Sequence, residues 1–360
     1  MSIMGNLIRA MGVACALALV LAAPVSAQAP NEALKKLIAD ASKEGTLTLS
    51  WSNSTLAGVE GAAKAQVLMN KVFGTNIKID FVPGPDMARI ANQLTTEFSA
   101  KQTAHVDIML GAATQIAPMA RLDILRLVDW KSYMPERITN EMVEMDGRMV
   151  RIVTGLSGVT YNSAMAPMKP KLLEDFLRPE WKGRIASTPY AASFDVLAAD
   201  DVWGEKKTYD FVRALSKQIS GLIRCGDAER VATGEYLAIV MDCTGQDALL
   251  WQEKGAPIDQ MMPLDAAQKR YYYISIPKHA PHPAAATLFG LFMLTPEGQK
   301  LAYETWKTDL HLLPGSTMSR IIEGYEKQNV PFKEVTASWW LQHPEIDQRR
   351  SELIKIITTK

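Results

Sequence analysis

No sign of charge dominates this sequence: 39 Lys and Arg face 39 Asp and Glu across 360 residues, scattered among one another throughout. Nucleic acid recognition normally needs a basic patch or stripe, so that class is set aside. Cysteine is scarce, three in all, and Cys15 lies inside an N-terminal apolar run. Beyond that run no second apolar stretch reaches membrane-spanning length. Enzyme motifs are missing too: there is no His-Glu-x-x-His metal motif, no phosphate loop and no carboxylate pair with a mechanism attached. Gly155-Leu156-Ser157-Gly158-Val159 follows a nucleophile elbow for four residues, but Val159 stands where the closing glycine belongs and no helix pattern follows. The chain is read as a non-enzyme without cofactor; a secreted hydrolase is the alternative of another class.

What is present begins with Arg9, then residues 11–23 without a charge, then Val25-Ser26-Ala27 as a small-x-small site. This is the layout of a secretory signal peptide cleaved after Ala27. Lipid attachment at Cys15 is disfavoured, because Leu17 to Leu21 still follow and Gly12 stands where a large aliphatic belongs. Cleavage removes only Arg9 among the charged residues, leaving 38 basic against 39 acidic in 333 residues. That length exceeds a usual single core, so two domains are expected. Export permits a disulfide between Cys225 and Cys243. A helix over 227–233, a turn at Gly234-Glu235 and a strand over 236–241 running back would bring the two sulfurs to one end; two buried thiols are the alternative.

Periodicity predicts a helix over 31–43 with Leu34, Leu37, Ile38 and Ala41 on one face, then a strand over 46–51, a helix over 62–73 and a strand over 76–82. Strand, helix and strand in that order make a βαβ unit. A helix over 86–100 and a strand over 106–110 continue it. Further on, 271–276 is aromatic and β-branched, which suits a buried strand. Three prolines at 277, 281 and 283 force a turn after it. Residues 284–294 carry no charge and almost no polar face, the mark of a core helix. Thr295, Pro296 and Glu297 then supply a cap, a first-turn proline and an acid at the positive end of a second helix. A last helical pattern covers 346–357, with the lobe it packs on left open.

The stretch 274–299, with Ile276-Pro277-Lys278, the His-Ala-Pro-His-Pro turn and Thr295-Pro296-Glu297-Gly298-Gln299, resembles the return signature of bacterial extracellular solute-binding proteins of ABC importers. Gly155 to Asn162 resembles that family's first crossing strand, and Pro179-Glu180-Trp181-Lys182-Gly183 its Trp-Lys-Gly turn. The resemblance implies an α/β, type II two-lobe periplasmic-binding-protein-like fold. Lobe one would take residues 28–154, lobe two 155–274, and 275–360 would return to lobe one. It also implies a monomer in the periplasm that captures a small solute by hinge closure and docks on an inner-membrane ABC permease. A sensor built on the same scaffold is a third reading.

Ligands in open α/β sheets bind beyond the carboxyl ends of the strands. Applied here, that rule selects Trp51, Ser52, Asn53, Ser54 and Thr114 from lobe one. From lobe two it selects Thr188, Tyr190, Ser193, Thr244, Gln246 and Asp247, with Tyr161 at the crossing. Ser54 and Ser193 also suit plain helix caps, and Trp51 a plain core position. One branch of the family holds ferric iron through adjacent tyrosines after the strand that follows a Gly-Glu turn. Here that place reads Asp242-Cys243-Thr244-Gly245-Gln246, so no metal ligand is assigned, and a ferric or ferric-chelate cargo is the alternative. His279 and His282 sit among prolines that break any helix. Helix N-termini and hydroxyls favour a solute with a carboxylate, phosphate or sulfonate, with Arg224 as the nearest counter-charge.

Overall fold

The computed structural model describes residues 30–359 apart from Thr244. The expected signal peptide, residues 1–27, lies outside the described residues. Its strands are β1 (Thr46–Trp51), β2 (Lys78–Pro83), β3 (Met109–Ala112), β4 (Val143–Glu144), β5 (Met149–Ser157), β6 (Val159–Asn162), β7 (Ile185–Ser187), β8 (Ile219–Leu222), β9 (Ala238–Ile239), β10 (Ile258–Met261), β11 (Gln268–Ser275) and β12 (Lys333–Val335).

Asn31 accepts from the Leu34 N–H and opens the first helix, Glu32–Glu44, which Gly45 closes in the left-handed region at φ 68°. β1 and β2 then pair in parallel around the helix Gly58–Phe73, giving the expected βαβ unit. The third strand forms its ladder later than expected, at Met109–Ala112, antiparallel to β11. Asp107 explains the delay. Its fully buried carboxylate accepts from the backbone N–H of Thr48 at 2.7 Å and of His282 at 2.7 Å, and meets His282 Nδ1 at 3.0 Å. That segment therefore ties β1 to the proline turn instead of extending a ladder.

The first lobe's sheet runs β12-β11-β5-β4, with β3 beside β11, and the second lobe's runs β10-β6-β9-β7-β8. One crossing strand was expected over 155–162; two strands meet there, in different sheets. Gly158 is the break, since a Cβ there would stand 2.4 Å from the Met261 carbonyl oxygen. The core helix is Pro283–Met293, buried from Ala285 to Met293. Glu44 accepts from the N–H groups of Ala284 and Ala285 at its start. Thr295 caps the next helix, Pro296–Trp306, by accepting from Gly298, with Pro296 in the first turn.

The tail touches both cores. Trp340 and Ile346 belong to the first, whereas Leu353 and Ile357 on the helix Glu345–Thr358 belong to the second. Arg350 Nε donates at 2.7 Å to Asp195, a residue 2% exposed in the second lobe. Arg349 Nη1 donates to the Ala198 carbonyl at 2.7 Å. Among the described residues no helix is long and apolar enough to cross a membrane.

Candidate functional site

Beyond β1, Trp51 is 2% exposed and packed against Phe81 and Phe289, with ring centroids 5.1 and 6.3 Å away. Its ring is spent in the core rather than offered to a ligand. Ser52 Oγ lies 3.1 Å from both Ser54 Oγ and Thr55 Oγ1, and Asn53 and Ser54 are exposed. Ser54 caps nothing: the helix starts at Gly58 behind Ala57, which has no side-chain cap. Thr114 is half-buried, second in the helix Ala113–Arg121 that leaves β3 directly.

In the second lobe, Thr188 and Ser193 are fully buried and Tyr190 is 46% exposed. Ser193 is not a side-chain cap. Its backbone is left-handed at φ 68°, and the helix behind it, Phe194–Leu197, lasts one turn. Its polar atoms face β11 instead: Arg270 Nη1 donates to Ser193 Oγ at 3.2 Å, and Gln268 Nε2 donates to the Ser193 carbonyl at 2.9 Å. Thr244 and the side chains of Gln246 and Asp247 lie outside the described residues. The backbone around them is anchored, since Ser157 Oγ donates to the Cys243 carbonyl at 2.7 Å. Ser157 pairs in register with Gln268 across β5 and β11.

Two loops from the carboxyl ends of the second lobe's strands thus rest on the same face of the crossing strands. Ser157, Gln268 and Arg270 form that face; in the sequence Ser157 stood out only as the centre of an incomplete nucleophile elbow, and Gln268 and Arg270 not at all. The available signal was two long polar side chains at alternate positions of an otherwise buried strand. Non-glycine residues with left-handed backbone recur in these loops: Leu56 and Ala57 after β1, Ala191 and Ser193 after β7, and Met241 after β9. Strain of that kind persists where surrounding structure over-determines it, often at binding sites.

Tyr161 is 5% exposed on β6 and donates at 3.4 Å to Asp259. Burial, reinforced by that carboxylate, pushes its phenol up to about 12. Asp242, just past β9, is fully enclosed, which pushes its carboxyl upward against the hydrogen bonds it accepts from Thr160 Oγ1 at 2.8 Å and the Cys243 N–H at 2.7 Å. Cys225 and Cys243 are bridged, with Cα atoms 5.7 Å apart. Arg224 is exposed, and its backbone N–H turns back to Asp227; the cation that reaches the crossing is Arg270. Tyr271 and Tyr273 are fully buried, with hydroxyls donating to Glu334 and Glu144, and burial raises both phenols. They are not free phenolates.

Two cavities lie elsewhere, one of about 830 Å³ over Trp203 and Phe211 on the second lobe and one of about 430 Å³ between Arg137, Tyr303 and Ser316 on the first. Neither includes a residue of the crossing.

Residues 69–319 match the family described as bacterial extracellular solute-binding protein. An Fe(3+)-binding periplasmic protein of Serratia marcescens is 27% identical over 152 residues, 39% of this chain and 41% of that protein. The match spans about two fifths of the length of the curated relatives. Iron-bound HitA from Pseudomonas aeruginosa superposes with a TM-score of 0.66 at 18% identity, over 86% of this chain and 99% of that one. AgtB from A. tumefaciens R10, in complex with agropinic acid, gives 0.63 at 16% identity, over 88% and 99%. At such identities the likeness is one of fold, the two-lobe type II architecture.

Proposed function

Because the chain belongs to the family of bacterial extracellular solute-binding proteins, we propose that it captures a small solute between its lobes in the periplasm and delivers it to an inner-membrane ABC permease. The observation that carries this reading is the convergence of the loops after β7 and β9 on Ser157, Gln268 and Arg270 of the crossing strands. Closure about such strands lets one solute touch both lobes, so binding favours the closed form by its differential affinity for it. The signal peptide cleaved after Ala27 accounts for export. In this reading the protein works as a monomer with no enzymatic step and no nucleic acid partner. Lobe one takes the residues up to Ser157 and those from Gln268 on, since β5 and β11 share a sheet with β3, β4 and β12 and so move the boundaries from 154 and 274. Lobe two takes the residues between, with the last helix of the tail against it. The ligand contacts are Ser52, Asn53, Ser54 and Thr114 from lobe one, and Tyr161, Thr188, Tyr190, Ser193, Thr244, Gln246 and Asp247 from the crossing and lobe two.

A ferric cargo is the second reading, favoured by the Serratia and Pseudomonas proteins. It meets a chemical obstacle, since β9 is followed by Asp242-Cys243 rather than tyrosines. Thermal shift of the mature chain across organic acids, phosphonates, amines, sugars and ferric chelates tests both. A ligand at 100 times its Kd should stabilise by about 2.7 kcal/mol. No shift with any class, together with turnover of an ester or peptide, would remove the capture reading. A red ferric-phenolate band would select iron.

A further inference from the structure

Arg270 is the third residue of β11, flanked by Gly155 on β5 and Val335 on β12. Gly155 places no side chain over it. The guanidinium is half-buried, and among the described residues its hydrogen-bond partner is a neutral hydroxyl, Ser193 Oγ at 3.2 Å, with no carboxylate in ion-pair range. Two other cations are matched, Arg151 with Glu144 at 2.9 Å and Arg350 with Asp195, while the half-buried Arg137 donates to the Leu294 carbonyl. Taking an arginine from water without a counter-charge costs several kcal/mol. A packing role alone would be met by Met or Leu.

Two further groups are short of partners, Gln268 beside it on β11 and Thr188 in the loop after β7. Gln268, fully buried and two residues away on the same face of β11, spends its Nε2 on the Ser193 carbonyl and leaves Oε1 buried and unpaired. Thr188, fully buried in the loop that leads to Ser193, has an unpaired Oγ1. Buried polar atoms are rarely left so. Together the cluster offers a five-donor cation, an acceptor that needs an N–H or O–H, and a hydroxyl able to do either.

We propose that Arg270 anchors the anionic group of the captured solute. Gln268 Oε1 accepts from a hydroxyl or amine carried beside that group. The solute class is a small acid, carboxylate or phosphate, bearing a neighbouring hydroxyl or amine; a bare metal ion or a polyamine does not fit a site whose charge is positive. This rests on the capture reading and names what is captured.

The test uses the full mature chain and a defined panel: glycerate and glutamate, glycerol phosphate and fructose 6-phosphate, acetate and inorganic phosphate, then glycerol, glucose, putrescine and ferric chloride. Calorimetry of the wild type should find binding confined to substituted oxyanions, and the carboxylate and phosphate arms identify which oxyanion it takes. For that ligand Arg270→Gln should lose about 100-fold in affinity, the loss expected for one charge-assisted partner. Arg270→Lys, which keeps the charge without the planar fork, should lose less. Melting of the unliganded variants checks that each is folded. Binding of a neutral or cationic solute by the wild type, or an Arg270→Gln variant that holds the anion as tightly as the wild type, overturns the proposal and leaves capture standing. If no member of any class binds, the capture reading fails, and this one with it.

Discussion

Acid should loosen the first lobe through one imidazole. His311 stacks on Tyr271, with centroids 5.8 Å apart and planes inclined by 26°. Its Nδ1 lies 2.9 Å from Thr154 Oγ1 and its Nε2 3.5 Å from Lys269 Nζ. An ammonium can only donate, so Nε2 is the bare acceptor and the ring proton belongs on Nδ1, facing the threonine. A second proton would have to enter toward Lys269, with Arg151 also opposing it and only Glu334 in favour. Burial first and Lys269 second push the group down to about 4. The folded value is thus below the unfolded one near 6.5. Above that pH both states are neutral and nothing changes. As pH falls through 6.5 the unfolded chain takes a proton that the folded chain refuses, so stability drops by up to about 1.4 kcal/mol per unit. The loss reaches about 3 kcal/mol near pH 4. Urea unfolding between pH 7.5 and 4, followed by tryptophan fluorescence in the wild type and His311→Gln, isolates this share. The variant should be less stable at pH 7.5, where it loses the ring contacts, and the gap should close as pH falls. Parallel curves for the two proteins, or an imidazole titrating near 6.5 by NMR in the folded wild type, would refute the reasoning.

Breaking the bridge between Cys225 and Cys243, 18 residues apart in sequence, should cost the second lobe about 3 kcal/mol in the chain-entropy description. The double serine variant compared with oxidised wild type in urea checks it, and equal midpoints or two free thiols by mass spectrometry would count against it. Arg350→Met should cost roughly 3–5 kcal/mol by stranding the buried Asp195 carboxylate. A loss under about 1 kcal/mol in thermal unfolding would mean that the pair is a surface contact in solution.

Local signals read well wherever the local chemistry decided the outcome. Thr295-Pro296-Glu297 opens a helix because cap, ring and charge all act within one turn, and β1 has the expected limits because Gly45 and the polar run after Trp51 bound it. Trp51 was ambiguous because its surroundings, Phe81 and Phe289, come from distant parts of the chain. The strand expected over 236–241 shrank to Ala238–Ile239, since ladder length depends on the short neighbours β6 and β7. Ser193 read as a cap because serine before an apolar run usually is one; its left-handed backbone and its link to β11 are tertiary facts. Arg270 stands just before the strand expected over 271–276, and the ladder that takes it in begins at Gln268 because β5 and β12 pair with that end.

The tail gives the second lobe a late birthday. Its core contains Val159 at one extreme and Ile357 at the other, so every contact that Leu353 and Ile357 make waits until almost two hundred intervening residues have been synthesised. A nascent chain in that condition has a half-built second lobe. Such late closure slows folding for the same reason that any long-range pairing does. The region matched to the family, residues 69–319, omits both β1 and these last residues, so it is shorter than the unit that folds. A chain stopped at residue 344 should accordingly expose the second lobe to protease, and resistance equal to that of the whole protein would show that the tail is dispensable.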